Sequence, residues 1–213
     1  MDSEASEKIF ISETGFGEII GVADTGIDME HPDLKAHIIS AVAWGRKNPN
    51  DTSDPHGHGT HVAGSIVGDG TSSGGKIKGI APGAGIFFQS LMDHNGALSN
   101  FDLQLQELFQ EAYSHGARIH NNSWGSAAEA RYTIDSIIVD EFVYEHPEML
   151  IVISAGNEGI CDSEEESEKG YVGFGSVGSP ATTKNGLTVG ASRNKRTSGG
   201  FASATYGKIW PDR

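Results

Sequence analysis

The chain has 213 residues, of which 29 are Asp or Glu and 15 are Lys or Arg, giving a formal charge of −14. This charge argues against nucleic-acid binding, which needs a basic surface to neutralise phosphates. No apolar run reaches the roughly 18 residues of a membrane span, and the single Cys161 excludes an intramolecular disulfide framework and a cysteine-based zinc site. With 37% hydrophobic residues, we expect one folded domain with a substantial core.

Short apolar runs at helix-length intervals predict five buried strands. In chain order these are Glu18–Ala23, Gly85–Leu91, Arg118–Asn121, Leu150–Ala155 and Leu187–Ala191. Strands that alternate with helices predict an α/β protein with a doubly wound, mostly parallel sheet and helices on both faces. Functional groups in such proteins gather at the carboxyl ends of the strands.

Helical spacing of apolar residues fills two of the intervals. The segments 105–112 and 134–142 have apolar residues at i, i+3 and i+4 spacings, and Gly116 and Pro147 lie where these helices should end. A further helix is expected to begin near His58.

Two features near predicted strand ends carry unusual chemistry. Asp24 follows the first strand directly, where a carboxylate either caps the next turn or is the buried partner of a base. The segment 54–64, D-P-H-G-H-G-T-H-V-A-G, contains three of the nine histidines, His56, His58 and His61. They form either a metal site, since His58 and His61 would share a helix face, or a single catalytic base at His58, whose flanking glycines leave the ring open to substrate.

The segment 154–159, S-A-G-N-E-G, follows the fourth predicted strand. Asn157 lies between glycines, where its side-chain N–H can point at a developing oxyanion; the simpler interpretation is an Asn in a turn. An Asp, a His base and an amide donor are three of the four parts of a serine hydrolase site.

The sequence resembles the subtilisin-like serine proteases (subtilases, peptidase family S8) from about residue 19 to the end. Three blocks carry the resemblance in the family's order: V-A-D-T-G-I-D at 22–28, H-G-T-H-V-A-G at 58–64 and A-G-N-E-G at 155–159. The segment 116–125 is most similar to the alkaline, oxidatively stable branch of the family.

The resemblance implies catalytic roles for three residues. Asp24 would hold the imidazole of His58, His58 would take the proton from the nucleophile, and Asn157 would donate to the oxyanion. It also implies one wall of the S1 pocket formed by Ser123, Trp124 and Gly125, and an opposite wall formed by Ser154, Ala155 and Gly156. Gly96 and Ala97 would lie on a second substrate-pairing strand. An extended peptide would then bind as an added strand.

The family's nucleophile block, G-T-S-x-A-x-P, does not occur in the sequence. We therefore expect a short lead at 1–17, followed by a catalytic domain at 18–213 that is truncated before this block. The isolated chain should not hydrolyse peptides, and the incomplete sheet should favour self-association. The alternative is a non-catalytic, subtilase-like pseudoprotease or binding module.

The resemblance further implies a peptide or protein substrate, no cofactor for the chemistry, and a secreted or extracellular location, although the acidic N-terminus is no signal peptide. An inhibitory propeptide or a missing C-terminal segment is an expected partner. Structural calcium is also expected on this basis, without named ligands; the acidic run at 164–168 is interpreted as a solvated loop. Gly15-Phe16-Gly17 precedes the first strand instead of following it, which argues against a nucleotide-binding domain.

Overall fold

The computed structural model describes residues 13–98, 105–159 and 175–191, and in this part of the chain six strands form one sheet. The strands are β1 (Ile19–Asp24), β2 (Ile38–Ala43), β3 (Gly85–Ser90), β4 (Ile119–Asn122), β5 (Leu150–Ser154) and β6 (Leu187–Val189). The helices are α1 (His58–Val67), α2 (Leu105–Ser114) and α3 (Ile134–Glu145), with a 3₁₀ turn at Thr71–Ser73. Each of the five strand pairs in this sheet is parallel, which confirms the α/β class.

The strand order β2-β3-β1-β4-β5-β6 places β1 in the middle of the sheet. The chain adds β2 and β3 on one side of β1 and then β4, β5 and β6 on the other. Ligand crevices of open parallel sheets form where the order reverses in this way, outside the carboxyl ends of the strands. Asp24, the last residue of β1, lies at this switch point.

Side chains of β1 alternate between two cores, one on each face of the sheet. Val22 packs in a cluster with Ala63 and Val67 of α1. Ala23 packs on the other side, in a cluster that includes Phe109 of α2 and Phe142 of α3. Helices therefore cover both faces, as the sequence predicted.

Within the described residues, α1 covers only the β3–β1 half of its face. The other half of that face carries exposed apolar side chains from β4, β5 and β6. The strand register places them on the same side of the sheet as Val22; they are Ile119, Leu150, Leu187 and Val189.

The five predicted strands are present, each with ends within two residues of the expected positions. The three predicted helices are also present, and Gly116 follows α2 in the left-handed conformation that ends helices, with φ +91°. β2 was not predicted. It is an edge strand whose Ile39 is exposed, so it lacks the buried apolar run that identified the others. Cys161, the acidic run at 164–168 and the domain beyond residue 191 lie outside the described residues.

Candidate active site

The structure brings Asp24 and His58 together at the carboxyl end of β1. Asp24 is buried, whereas His58, the first residue of α1, has 44% of its side chain exposed. Nδ1 of His58 lies 2.7 Å from Oδ1 of Asp24. Because a carboxylate only accepts, Nδ1 is the donor and Nε2 of the neutral ring is left to accept a proton. The same Oδ1 accepts the N–H of Thr25 at 2.7 Å, so Asp24 both holds the turn and orients the base.

The second oxygen of Asp24 is buried and has no hydrogen-bond partner among the described residues. A buried carboxylate oxygen without a donor costs folding free energy. Local rules of stability are broken mainly at functional sites. Among the described residues, Asp24 is therefore satisfied at only one of its two carboxylate oxygens.

Gly59 allows the start of α1 to approach β1 closely. A Cβ at this position would lie 2.2 Å from the carbonyl oxygen of Gly26 and 2.9 Å from Cζ of Phe88. Gly57 has φ +83°, a conformation that L-residues rarely adopt. The two glycines that flank His58 are therefore required by packing and by backbone conformation.

The other two histidines of the segment do not converge with His58 on one point. The rings of His56 and His58 are edge to face with their centroids 6.1 Å apart, and His61 is exposed on α1. In residues 13–98, 105–159 and 175–191, no group of three or more His, Cys, Asp or Glu side chains is arranged to hold a metal ion. The geometry thus favours a single base paired with a carboxylate over a histidine cluster.

Asn157 lies at the same edge of the sheet, three residues beyond the end of β5. Since β5 is the second neighbour of β1, the two strand ends are about 10 Å apart. Gly156 has φ +108°, and the backbone N–H of Asn157 donates to Oε2 of Glu158 at 3.0 Å. The side chain of Asn157 is exposed. Its role at an oxyanion stays a prediction.

The two predicted walls of the S1 pocket, 123–125 and 154–156, extend from the neighbouring strands β4 and β5. A segment around Gly178 lies between them: Gly178 donates to the carbonyl of Ala155 at 3.0 Å, and Ser179 exchanges two 2.9 Å hydrogen bonds with Ser126. The N–H of Ala155 donates to the carbonyl of Val189 at 2.9 Å. The N–H of Ala155 is therefore not available to a peptide, and its carbonyl already accepts one hydrogen bond.

The backbone of Gly125 differs in this respect. Gly125 is exposed, and neither its N–H nor its carbonyl bonds to a described backbone group. A Cβ at Gly125 would lie 2.7 Å from the carbonyl oxygen of Ser179, so glycine is required here by packing. Trp124 is held in place by its indole N–H, which donates to the carbonyl of Ala23 at 3.1 Å.

Gly96 and Ala97 lie in a tight turn closed by Asp93. Ala97 donates its N–H to the Asp93 carboxylate at 3.0 Å, and its carbonyl accepts the Asp93 N–H at 2.8 Å. A surface depression lined by His56, Asp93 and Gly96, among others, connects this turn to the segment that precedes His58. The turn therefore lies near His56. The N–H of Gly96 also donates within the turn, to the Asp93 carbonyl at 3.2 Å, so neither N–H of the predicted pairing segment is available to a peptide.

Sequence reasoning left Asp54 without a role, although it begins the histidine segment. Its carboxylate accepts hydrogen bonds from Thr25, Gly57 and Thr60. Burial alone would raise the pKa of Asp54, but these hydrogen bonds outweigh it and hold the pKa below its usual value. The available signal was the Asp three residues before Gly57, the residue at the start of α1 that has no capping side chain of its own.

The fold is that of an α/β protein with a parallel sheet, and the Asp24–His58 pair lies at the carboxyl edge of that sheet. The chain belongs to the subtilase family (peptidase S8): the family's model matches residues 15–212. No helix in the described part of the chain is long and apolar enough to cross a membrane.

Individual relatives agree with this assignment. The chain is 31% identical over 201 residues to the serine protease/ABC transporter B family protein tagA of Dictyostelium discoideum, covering 90% of this chain and 11% of that protein. It is 29% identical to a subtilisin of Bacillus sp. (strain TA39), covering 93% of this chain and 45% of the relative. Among solved structures, sphericase superposes with a TM-score of 0.63 at 26% identity, over 85% of this chain and 56% of sphericase. The chain thus spans less than half the length of these two curated relatives.

Proposed function

We propose that this chain contributes the general base and the oxyanion donor of a serine endopeptidase of the subtilisin type. The observation that supports the proposal most directly is the 2.7 Å contact between His58 Nδ1 and Asp24 Oδ1 at the switch point of the sheet. Asp24 fixes the ring and stabilises its charged form, while Nε2 of His58 takes the proton of the serine hydroxyl and returns it to the leaving amine. Asn157 donates to the tetrahedral oxyanion.

The proposed substrate is an extended peptide or protein segment. The backbone groups of Gly125, which bond to no described backbone group, suit main-chain pairing with such a segment. The depression lined by His56 and Gly96 gives the segment room between the Gly96 turn and the residues that precede His58. Extracellular location, structural calcium and an inhibitory propeptide rest on the family resemblance and are part of the same proposal.

The serine nucleophile is the component that the 213 residues do not supply, since they contain no G-T-S-x-A-x-P block. The isolated chain is therefore expected to be inactive. The alternative is a non-catalytic subtilase-like pseudoprotease or binding module. The environment of Asp24 favours the enzyme, because a binding module gains nothing from a buried carboxylate that is hydrogen-bonded to an exposed histidine and has no donor to its second oxygen among the described residues.

The test begins by sequencing the encoding gene beyond codon 213 and expressing the product that includes any nucleophile block found in frame. Hydrolysis of a chromogenic peptide by this product should fall at least about 10⁴-fold in His58→Ala. It should fall about 10²–10³-fold in Asn157→Gly, which removes one oxyanion donor.

The control is His61→Ala, the same substitution at an exposed position of α1, which should retain activity. The isolated 213-residue chain should show no turnover. A stop codon directly after Arg213, a block in which the serine is replaced, or turnover that is insensitive to His58→Ala would support the binding module instead.

A further inference from the structure

We propose that Asp54 is a positioning residue that sets the location of His58 relative to Asp24. Asp54 bonds to neither side chain. It acts through backbone and hydroxyl groups on both sides of His58, and it joins the segment that follows β1 to the start of α1. The inference rests on the proposed function, because it assigns His58 the role of base.

One carboxylate oxygen of Asp54 bonds on the N-terminal side of His58. Oδ1 accepts the hydroxyl of Thr25 at 2.8 Å and the N–H of Gly57 at 2.9 Å. The hydroxyl oxygen of Thr25 in turn accepts the N–H of Gly59 at 2.9 Å. Thr25 is adjacent to Asp24, and Gly57 and Gly59 flank His58, so this oxygen connects the backbones of both members of the pair.

The other oxygen bonds on the C-terminal side of His58. Oδ2 accepts the N–H of Thr60 at 2.9 Å and the hydroxyl of Thr60 at 2.7 Å. The same hydroxyl oxygen accepts the N–H of Asp28 at 3.0 Å. The first turn of α1 is thus hydrogen-bonded a second time to the segment after β1, and the backbone of His58 lies between the two sets of hydrogen bonds.

The position requires a carboxylate. Four donors converge on Asp54, and a carboxylate is the short side chain that presents only acceptors; an asparagine amide would turn an NH₂ group towards two of these donors. The residue that precedes α1, Gly57, has no side chain to cap the helix, and the first turn of α1 contains no acidic residue. Asp54 is therefore also the negative charge that complements the N-terminal end of the helix dipole.

The position of His58 relative to Asp24 depends on these hydrogen bonds because the contact between the two side chains is short. A shift of about 1 Å in the start of α1 would lengthen the 2.7 Å contact beyond hydrogen-bonding distance. Displacements of this size cost about 10²-fold in rate in active sites. Asp54 thus controls the base without touching it.

The test observes the ring of His58 directly by NMR and needs no peptide hydrolysis. The full 213-residue chain is labelled with ¹⁵N-histidine, and the resonance of the His58 Nδ1 proton is assigned with His58→Gln. In the parent chain this proton should be shifted downfield and protected by its bond to Asp24. In Asp54→Asn its exchange with solvent should accelerate at least about tenfold, or the resonance should be lost.

Thr60 provides a milder pair of variants that keeps the test decisive if Asp54→Asn does not fold. Thr60→Val removes the hydroxyl that bonds to Asp54 and should accelerate exchange, whereas Thr60→Ser keeps the hydroxyl and should behave like the parent chain. If Thr60→Val and Thr60→Ser are indistinguishable, the inference is wrong.

The matched control is Asp140→Asn. The Asp140 carboxylate also accepts four hydrogen bonds, but it belongs to α3 and bonds to neither the segment after β1 nor α1; the donors are Tyr132, Thr183, Lys184 and Asn185. This variant should lower stability and leave the His58 proton unchanged. Equal effects of Asp54→Asn and Asp140→Asn on that proton would reduce Asp54 to a structural role. An unchanged proton in Asp54→Asn would also overturn the inference, and neither result would bear on whether a nucleophile is encoded elsewhere.

Discussion

One face of the sheet consists of two halves that differ in what covers them. On β3 and β1, Ile86 and Val22 lie under α1 and are each 0% exposed. On β4 and β6, Ile119 and Leu187 lie on the same face and are 40% and 48% exposed. The strand register is continuous across both halves. The difference therefore comes from the helix and not from the sheet.

The boundary between these halves also divides the candidate site. Asp24 and His58 belong to the half that α1 covers, and their geometry is fixed by contacts among described residues. Asn157 and the predicted walls of the S1 pocket extend from β4 and β5, which belong to the other half. The Asp24–His58 pair is thus held by contacts within the covered half, whereas the region proposed to bind the oxyanion and the substrate lies where the sheet face has no cover in the described part of the chain.

The largest expected effect tests this comparison with one substitution made in each half. Ile86→Ala should lower the free energy of unfolding by about 2–5 kcal/mol, because it leaves a cavity under α1. Ile119→Ala, on the same face, should lower it by less than about 1 kcal/mol, because this side chain is already partly in water. Urea unfolding followed by circular dichroism measures both. Similar losses in the two variants would mean that the β4–β6 half is covered after all.

A second prediction concerns the opposite face of β4, which the helices cover. His120 follows Ile119 in sequence, lies on that face and is fully buried. Burial lowers the pKa of His120 to about 3. The unfolded chain binds this proton near pH 6.5 and the native chain does not, so the free energy of unfolding falls by about 1.4 kcal/mol for each pH unit between 6.5 and 3. At pH 4.5 the accumulated loss is about 2–3 kcal/mol.

His120→Gln should remove this acid sensitivity, since a glutamine amide can still donate to Oε1 of Gln89, which lies 2.9 Å from His120 Nε2. The control, His94→Gln, changes an exposed histidine and should leave the pH dependence as it is. Unfolding curves at pH 7 and pH 4.5 suffice. If His120→Gln is as acid-sensitive as the parent chain, His120 is not the group responsible.

The smallest expected effect concerns α1 itself and uses two of its glycines. Gly59→Ala should destabilise the chain by about 1–3 kcal/mol, because the added Cβ would overlap the carbonyl oxygen of Gly26. Gly64→Ala should stabilise it by up to about 1 kcal/mol, since a Cβ there meets no atom within 4 Å and alanine favours the helix. Opposite changes in thermal midpoint are expected, and a neutral Gly59→Ala would contradict the close approach of α1 to β1.

The sequence allowed most of the sheet to be predicted because its strands are short, continuous apolar runs. β1 has buried residues facing two cores, so its apolar character does not alternate. The amphipathic spacing of α2 was equally clear, since Leu105, Leu108 and Phe109 all point into one core. Because Asp24 follows the first predicted strand, the sequence also predicted correctly that it lies at the carboxyl edge of the sheet.

Features that depend on pairing between distant segments could not be predicted. β2 lies at the edge of the sheet next to β3, and nothing local in its sequence specifies that neighbour. The role of Asp54 depends on Thr25, which is 29 residues away in sequence. The hydrogen bonding of the Ala155 backbone depends on Gly178 and Val189, which reach it only in the folded sheet. Each of these three features depends on tertiary contacts, which residue propensities and sequence spacing do not reveal.

The central position of β1 has a consequence for how the chain is made. Its neighbours are β3 and β4 rather than the next strand in sequence, so it has no partner until Ser90 has been synthesised. Ribosomes add about 5–20 residues per second, which leaves β1 alone for roughly 3–13 s. Pairing between segments so far apart in sequence is also slow, because loop-closure entropy is lost before contacts compensate for it. The helix that begins at His58 packs through Ala63 and Val67 on the surface that β1 and β3 form together. Some 65 residues are therefore synthesised after Asp24 before the surface that positions His58 beside it is complete.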